Sequence, residues 1–178
     1  MSHYFTNDIN LKHNVDKKNV VINGKEFTFF TDNGVFSKKG LDFGTRTLLE
    51  SLPEDLKGDI LDFGCGYGPI GIYLKKSYDC EVDMLDINER SVSLAKKNAD
   101  LNNAKVNIFL SDIYSNVNKK YDYIVTNPPI RVGKQILYKI LFDAKDYLKE
   151  NGKIYLVINK DQGAKSLMKD LANSYKVS

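Results

Sequence analysis

The chain has 178 residues, 42% hydrophobic and 28% charged, which suits one ordinary domain that buries a core without disulfides or a structural metal. Its net charge of +3, spread over dispersed lysines, permits a nucleic-acid partner without requiring one, and its two histidines, His3 and His13, leave almost nothing for a metal site or a triad. No apolar run approaches bilayer length and the N-terminus lacks a secretory pattern, so a cytoplasmic protein without membrane or metal partners is expected; Cys65 and Cys80 are too few for a disulfide framework.

In chain order, residues 19–32 alternate polar and apolar side chains around Asn23-Gly24, a favoured type I′ turn, and read as a β-hairpin. After Gly34-Val35-Phe36-Ser37, residues 41–52 place Leu41, Thr45, Leu48, Leu49 and Leu52 at helical spacing, stopped by Pro53. From residue 58 the pattern alternates. Strands are expected over 59–63, 80–85, 105–110, 121–126 and 152–158, with helices over 69–76, 88–101, 134–149 and 163–173 between and after them. Only 111–120 is a crossover with weak helix signal, and Tyr175-Lys176-Val177 reads as the start of a further strand.

Alternating strands and helices with apolar strands predict an α/β fold with a doubly wound, mostly parallel sheet, Rossmann-like over residues 58–178 and preceded by the hairpin. One sheet edge reads as incomplete at the C-terminal side. No repeat or linker divides the chain, so one domain over 1–178 is expected.

The strand ending at Phe63 runs into Gly64-Cys65-Gly66-Tyr67-Gly68, and Pro69 opens the next helix. Glycines here allow left-handed backbone angles and close ligand approach, while the helix N-terminus offers free N–H groups to an anionic group. Asp86, twenty residues beyond Gly66 at the end of the second strand, suits the two ribose hydroxyls of an adenosine cofactor. Gly66, Gly68 and Gly71 also satisfy the dinucleotide pattern G-x-G-x-x-G, so the loop alone leaves a nicotinamide or flavin cofactor open beside S-adenosylmethionine (SAM). Two acids lean towards SAM. Asp62 would repel a pyrophosphate but can meet a cofactor amino group directly or through the loop, and Asp112 can accept from adenine N6, although Ser111-Asp112 equally suits a turn cap.

Asn127-Pro128-Pro129-Ile130 follows the fourth strand, where open α/β sheets place reacting groups. Two prolines stiffen the backbone, and the Asn127 side-chain oxygen with the Pro128 carbonyl can accept both N–H bonds of one planar amine. Such a clamp aims the nitrogen lone pair at an electrophile and needs no strong base.

Together, Gly34-Val35-Phe36-Ser37, Leu41-Asp42-Phe43-Gly44-Thr45-Arg46, the run from Leu61 to Gly71, Asp86 and the run from Asn127 to Lys134 resemble the class I SAM-dependent methyltransferases, specifically small-domain relatives of bacterial 16S ribosomal RNA guanine-N2 methyltransferases. The resemblance covers nearly the whole chain. It implies that Gly64 and Gly66 contact the methionine part of SAM, Asp86 the ribose, and Ile87 and Asp112 the adenine; Asn127 and Pro128 hold the target amine, and Thr45 reaches the cofactor carboxylate or is simply a buried helix residue.

The chain departs from the family pattern in two places. Ile130 stands where many amino-methyltransferases carry a ring that stacks on a base, which shifts base recognition to Phe36, Arg131 or another aromatic. The antiparallel strand pair that ends the family's sheet is also missing from the pattern. The expected reaction is N-methylation of an exocyclic amine in RNA, with guanine N2 of ribosomal RNA favoured by resemblance and with Lys38, Lys39, Arg46, Arg131 and Lys134 placed to meet phosphates. The alternatives are a protein glutamine amide or DNA adenine as acceptor, a nicotinamide-dependent oxidoreductase, or a SAM-binding module without catalysis. Oligomeric state is not specified.

Overall fold

The Asn23-Gly24 turn takes positive φ at both residues, 48° and 77°, and joins β1 (Asp16–Ile22) to β2 (Lys25–Thr31) in antiparallel register, Ile22 opposite Lys25. Type I′ geometry matches strand twist, and Asn and Gly are the residues that tolerate it. The computed structural model describes residues 15–32, 41–128 and 132–178. The next described element is α1 (Phe43–Ser51), capped by Asp42, whose side chain accepts from the Thr45 N–H.

The remaining elements alternate except between β5 and β6: β3 (Lys57–Phe63), α2 (Pro69–Ser77), β4 (Asp79–Asp86), α3 (Glu89–Leu101), β5 (Asn107–Leu110), β6 (Tyr121–Thr126), α4 (Lys134–Asp143), β7 (Leu148–Leu156) and α5 (Ala164–Leu171). The five-stranded sheet has the order β5-β4-β3-β6-β7 with every pairing parallel. Strand order therefore reverses between β3 and β6, and a crevice opens above their C-terminal ends.

Side-chain alternation splits the core. Ile60 of β3 faces Leu48 and Leu49 of α1, Ile72 and Leu74 of α2 and Ala95 of α3, together with Phe27 and Phe29 of the hairpin. Leu61 and Phe63 face Leu137, Ile140 and Leu141 of α4 and Leu167 and Leu171 of α5 on the other side. Burying each such side chain contributes about 1.5–3 kcal/mol, so both helix layers are held firmly.

The hairpin docks through side chains that imitate a strand. Asn98 of α3 accepts from the Phe30 N–H at 2.7 Å and donates to the carbonyls of Phe30 (2.9 Å) and Tyr67 (2.7 Å). One turn later Asn102 makes the same pair of bonds with Thr28, at 3.1 and 2.8 Å. Asn98 is fully buried, so it ties the hairpin and the loop after β3 to one point.

Two expectations are corrected. The helix predicted over 134–149 ends at Asp143, followed by a 3₁₀ turn over Ala144–Tyr147, and β7 begins at Leu148, not at residue 152. Tyr147 stacks on Tyr114 with centroids 4.4 Å apart and Ala144 is buried, which tightens the last turn; the strand then absorbs extra residues in a bulge between the Tyr121–Leu148 and Tyr123–Lys153 pairs. Asn151 takes φ 63° there, and a Cβ on Gly152 would lie 2.9 Å from the Lys149 carbonyl oxygen. Tyr175-Lys176-Val177 forms no strand: the Tyr175 N–H donates to Leu171 and its hydroxyl donates to the Leu141 carbonyl at 2.6 Å. The crossover over 111–120 contains no α-helix, as its weak signal implied.

Candidate active site

Gly64, Gly66 and Gly68, directly after β3, have φ of 72°, 56° and 106°. Such angles cost other residues about 1 kcal/mol or more. Their reasons differ. A Cβ on Gly66 would meet nothing within 4 Å, so that backbone borders open space. One on Gly68 would meet Ile72, Met84 and Ala95 at 3.0–3.4 Å, and Gly71 lies so close to Met84 that a Cβ would fall 2.4 Å from the sulfur. Gly66 is the glycine that leaves room for a ligand; Gly68 and Gly71 let α2 approach β4.

Beneath this loop lie two carboxyl groups. Asp86, 1% exposed at the end of β4, accepts the Gly66 N–H on Oδ2 and the Asn88 N–H on Oδ1, both at 2.9 Å. Both carboxylate oxygens are thus engaged, one by the glycine loop and one by the residue that caps α3. Asp62 has no exposed surface; its Oδ2 accepts the Gly71 N–H at 2.9 Å and its Oδ1 has no protein partner. Burial, opposed in part by that N–H and reinforced by Asp86, pushes the Asp62 carboxyl up to about 8. Burial, with the Asp86 and Asp62 carboxylates, also raises the Cys65 thiol well above its ordinary range, which makes it a poor nucleophile.

The Gly71 N–H, in the first turn of α2, donates to the Asp62 carboxyl group, which ties the third glycine of the G-x-G-x-x-G run to the end of β3.

Across the crevice, Thr126 of β6 donates its hydroxyl to the Phe63 carbonyl at 2.8 Å, which locks the base of the Asn127-Pro128 segment to the base of the glycine loop. Asn127 is half-buried and Pro128 buried. The Asn127 side-chain nitrogen lies 3.2 Å from Asp42 Oδ2 and 3.1 Å from Thr45 Oγ1. Thr45, 6% exposed, is thus buried in α1 and also part of the site.

Asp42 was not singled out as a site residue. The Asp42-Phe43-Gly44-Thr45 run signals only a helix cap, and its partner lies 85 residues away. Phe43, the first residue of α1, is 85% exposed between two residues that approach Asn127; it falls off the apolar stripe of the helix, which leaves its ring facing water.

Of the other expected residues, Ile87 is half-buried directly after β4 and Asp112 is exposed directly after β5. The turn beyond Asp112 is built instead by Ser111 Oγ, which accepts from the Asn116 N–H, and Ser115 Oγ, which accepts from the Asp112 N–H, so capping does not occupy the Asp112 carboxylate. Arg46 also has a structural partner: through Nη1 its guanidinium donates to the Val21 carbonyl at 2.7 Å and pairs with Glu50, which braces the hairpin. Lys134 is exposed, its amine 5.1 Å from the Tyr138 ring. Pro129, Ile130 and Arg131, with His3, His13 and the segment from Gly34 through Phe36 and Ser37 to Lys38 and Lys39, lie outside the described residues.

Among the described residues no three His, Cys, Asp or Glu side chains gather as metal ligands, and no helix is long and apolar enough to cross a membrane. The donor set fits SAM. A Cβ on Gly66 would meet nothing within 4 Å, the Asp86 carboxylate stands at the end of β4, and the Asp112 side chain is exposed just beyond β5, a set that suits an adenosine cofactor with an amino-acid end.

Comparison with known proteins agrees. Residues 26–178 match the family model of the methyltransferase small domain. The chain is 42% identical over 174 residues to the uncharacterized protein YbxB of Bacillus subtilis, covering 95% of this chain and 87% of that protein. It is 37% identical over 144 residues to the ribosomal RNA small subunit methyltransferase C of Psychromonas ingrahamii, covering 78% of this chain but 41% of that enzyme. The structure of the T. thermophilus 16S rRNA N2 G1207 methyltransferase RsmC, in complex with AdoMet and guanosine, superposes with a TM-score of 0.80 at 29% identity, over 88% of this chain and 45% of that one. The chain thus spans less than half the length of these ribosomal RNA methyltransferases. A parallel sheet with this strand order, a glycine cradle backed by Asp62 and Asp86, and a family match over 26–178 lead to one assignment: the chain belongs to the methyltransferase small-domain family of SAM-dependent enzymes.

Proposed function

We propose that the chain transfers a methyl group from SAM to an exocyclic amine of ribosomal RNA, with guanine N2 the favoured acceptor. The observation that carries this is the bond between Thr126 and Phe63, which holds the Asn127-Pro128 acceptors beside the cofactor cradle across the β3–β6 switch point. SAM, when bound, supplies a methyl group on a positively charged sulfur. The chain supplies position. Gly66 leaves the cradle open, Asp86 would orient two hydroxyls, and Asn127 Oδ1 with the Pro128 carbonyl would take up the two amine N–H bonds, so that the nitrogen lone pair would take the methyl carbon as its bond to sulfur breaks and one amine proton passes to solvent.

The RNA substrate is supported by the relatives, whose names specify small-subunit ribosomal RNA and, for the T. thermophilus enzyme, guanine N2. Phe43 offers an exposed ring on the first turn of α1, able to do the stacking that Ile130 cannot. The test is transfer of radiolabelled methyl to undermodified small-subunit ribosomal RNA. Label on guanine N2, lost in Asn127→Ala while SAM affinity holds, is the expected result. Label on a protein glutamine or on DNA adenine, with none on RNA, would remove the RNA reading.

A further inference from the structure

We propose that Asp42 is the positioning residue that sets which end of the Asn127 amide faces the acceptor amine. The proposal rests on the amine-transfer reading above and adds to it the group that makes the clamp point the right way.

An asparagine side chain can be turned over at almost no cost in shape, exchanging a carbonyl acceptor for an NH2 donor. A clamp for an amine works in only one of these states, because NH2 facing NH2 sets donor against donor. What selects the state must therefore be a neighbour that can only accept. Asp42 is such a neighbour. Its Oδ2 lies 3.2 Å from the Asn127 nitrogen, and an ionised carboxylate has nothing to donate. The second amide hydrogen goes to Thr45 Oγ1 at 3.1 Å. With both N–H bonds directed at α1, Oδ1 points away from the helix.

Asp42 is itself fixed. Its other oxygen, Oδ1, accepts the Thr45 N–H at 2.9 Å as the helix cap, so one carboxylate joins the first turn of α1 to the end of β6. Gly44 packs beside the same amide: a Cβ there would sit 3.5 Å from the Asn127 nitrogen, in ordinary contact. A charge-assisted N–H bond also draws electron density towards Oδ1 and makes it a better acceptor for the substrate N–H. Thr45, having accepted from Asn127, keeps its own hydroxyl hydrogen for another acceptor.

A plain capping role and an orienting role can be separated, because Asn and Ser cap helices about as well as Asp. Asp42→Asn keeps the size and the cap but can present NH2 to Asn127; Asp42→Ser keeps the cap and cannot reach. Both variants should fold with melting temperatures near wild type and bind SAM within about threefold of it, while kcat falls about 100-fold with little change in the KM for RNA. Unchanged kcat in both variants would leave Asp42 a cap only and overturn the proposal, and so would an equal fall in SAM affinity.

A second readout needs no substrate. In ¹⁵N spectra the Asn127 side-chain NH2 protons of the wild-type chain should lie downfield, as expected for donors to a carboxylate, and should move upfield in Asp42→Ser. An unmoved resonance overturns the proposal even if no substrate is found. If the resonance moves but the wild-type chain methylates no amine, the transfer reading fails and the orientation by Asp42 stands.

Discussion

The Gly66 N–H donates to Asp86 Oδ2 over 2.9 Å, so the cofactor loop and the end of the neighbouring strand hold each other before any ligand arrives. The same carboxylate that would receive ribose hydroxyls also shapes the cradle. Asp86→Ala removes both roles. Hydrogen bonds to a charged group contribute about 1.5–3 kcal/mol, so SAM binding measured by calorimetry should weaken roughly 10- to 100-fold, with a lower melting temperature as well. Asp86→Asn retains one acceptor and should fall between; affinity unchanged in both would take Asp86 out of the cofactor site.

Gly66 and Gly71 should fail in different ways. Gly66→Ala places a methyl group in open space at φ 56°, costing about 1 kcal/mol of stability but projecting into the cradle. Gly71→Ala drives a methyl group into Met84, with Sδ at 2.4 Å, and should cost about 1–3 kcal/mol. Denaturant titration beside SAM calorimetry separates them: Gly66→Ala loses affinity more than stability, Gly71→Ala the reverse. The opposite ordering would reassign the two glycines.

Asp62 should make stability fall as pH rises. Its carboxyl is held at about 8 in the folded chain against an ordinary 3.8, so between these values the folded state binds the proton more tightly than the unfolded state. The stabilisation is complete below the lower value and is lost as pH rises through the upper one, with a slope of at most about 1.4 kcal/mol per pH unit. Asp62→Asn stays neutral and should flatten the profile, overtaking the wild type near pH 8. Parallel profiles for the two proteins, by chemical denaturation at pH 5, 6.5 and 8, would mean that Asp62 does not carry this dependence.

Asn98→Ala should be among the most damaging polar substitutions. It strands the Phe30 N–H and the Phe30 and Tyr67 carbonyls, and one buried orphan alone costs about 1–3 kcal/mol. Hydrogen exchange at the Phe30 amide should accelerate more than at Ile60, which lies in the sheet centre. Equal acceleration would mean that the hairpin and the sheet open together.

Local chemistry made much of this legible. Asn23-Gly24 specified the turn, Gly64 to Pro69 specified a strand-to-helix passage, and Asp86 and Asn127 lay where strand ends place them. Periodicity misplaced the end of α4, because Leu141 and Leu148 continue a helical stripe while the Tyr114–Tyr147 stack tightens the last turn and starts β7 early. Asp42 escaped notice since its cap is local and its contact with Asn127 spans 85 residues. A separation of 25 residues likewise hid the bond from Arg46 to Val21. Asp62 could be placed but its burial could not, because whether a strand-end carboxyl meets solvent depends on the helix folded over it.

The link through Asn98 also bears on how the chain is made. During synthesis β1 and β2 emerge early, yet Phe30 waits for a partner 68 residues later and Thr28 for one 74 residues later. A two-stranded ribbon alone is marginal in water. The first strands of the described chain therefore settle only once α3 is in place, in the same event that fastens the Tyr67 carbonyl of the glycine loop.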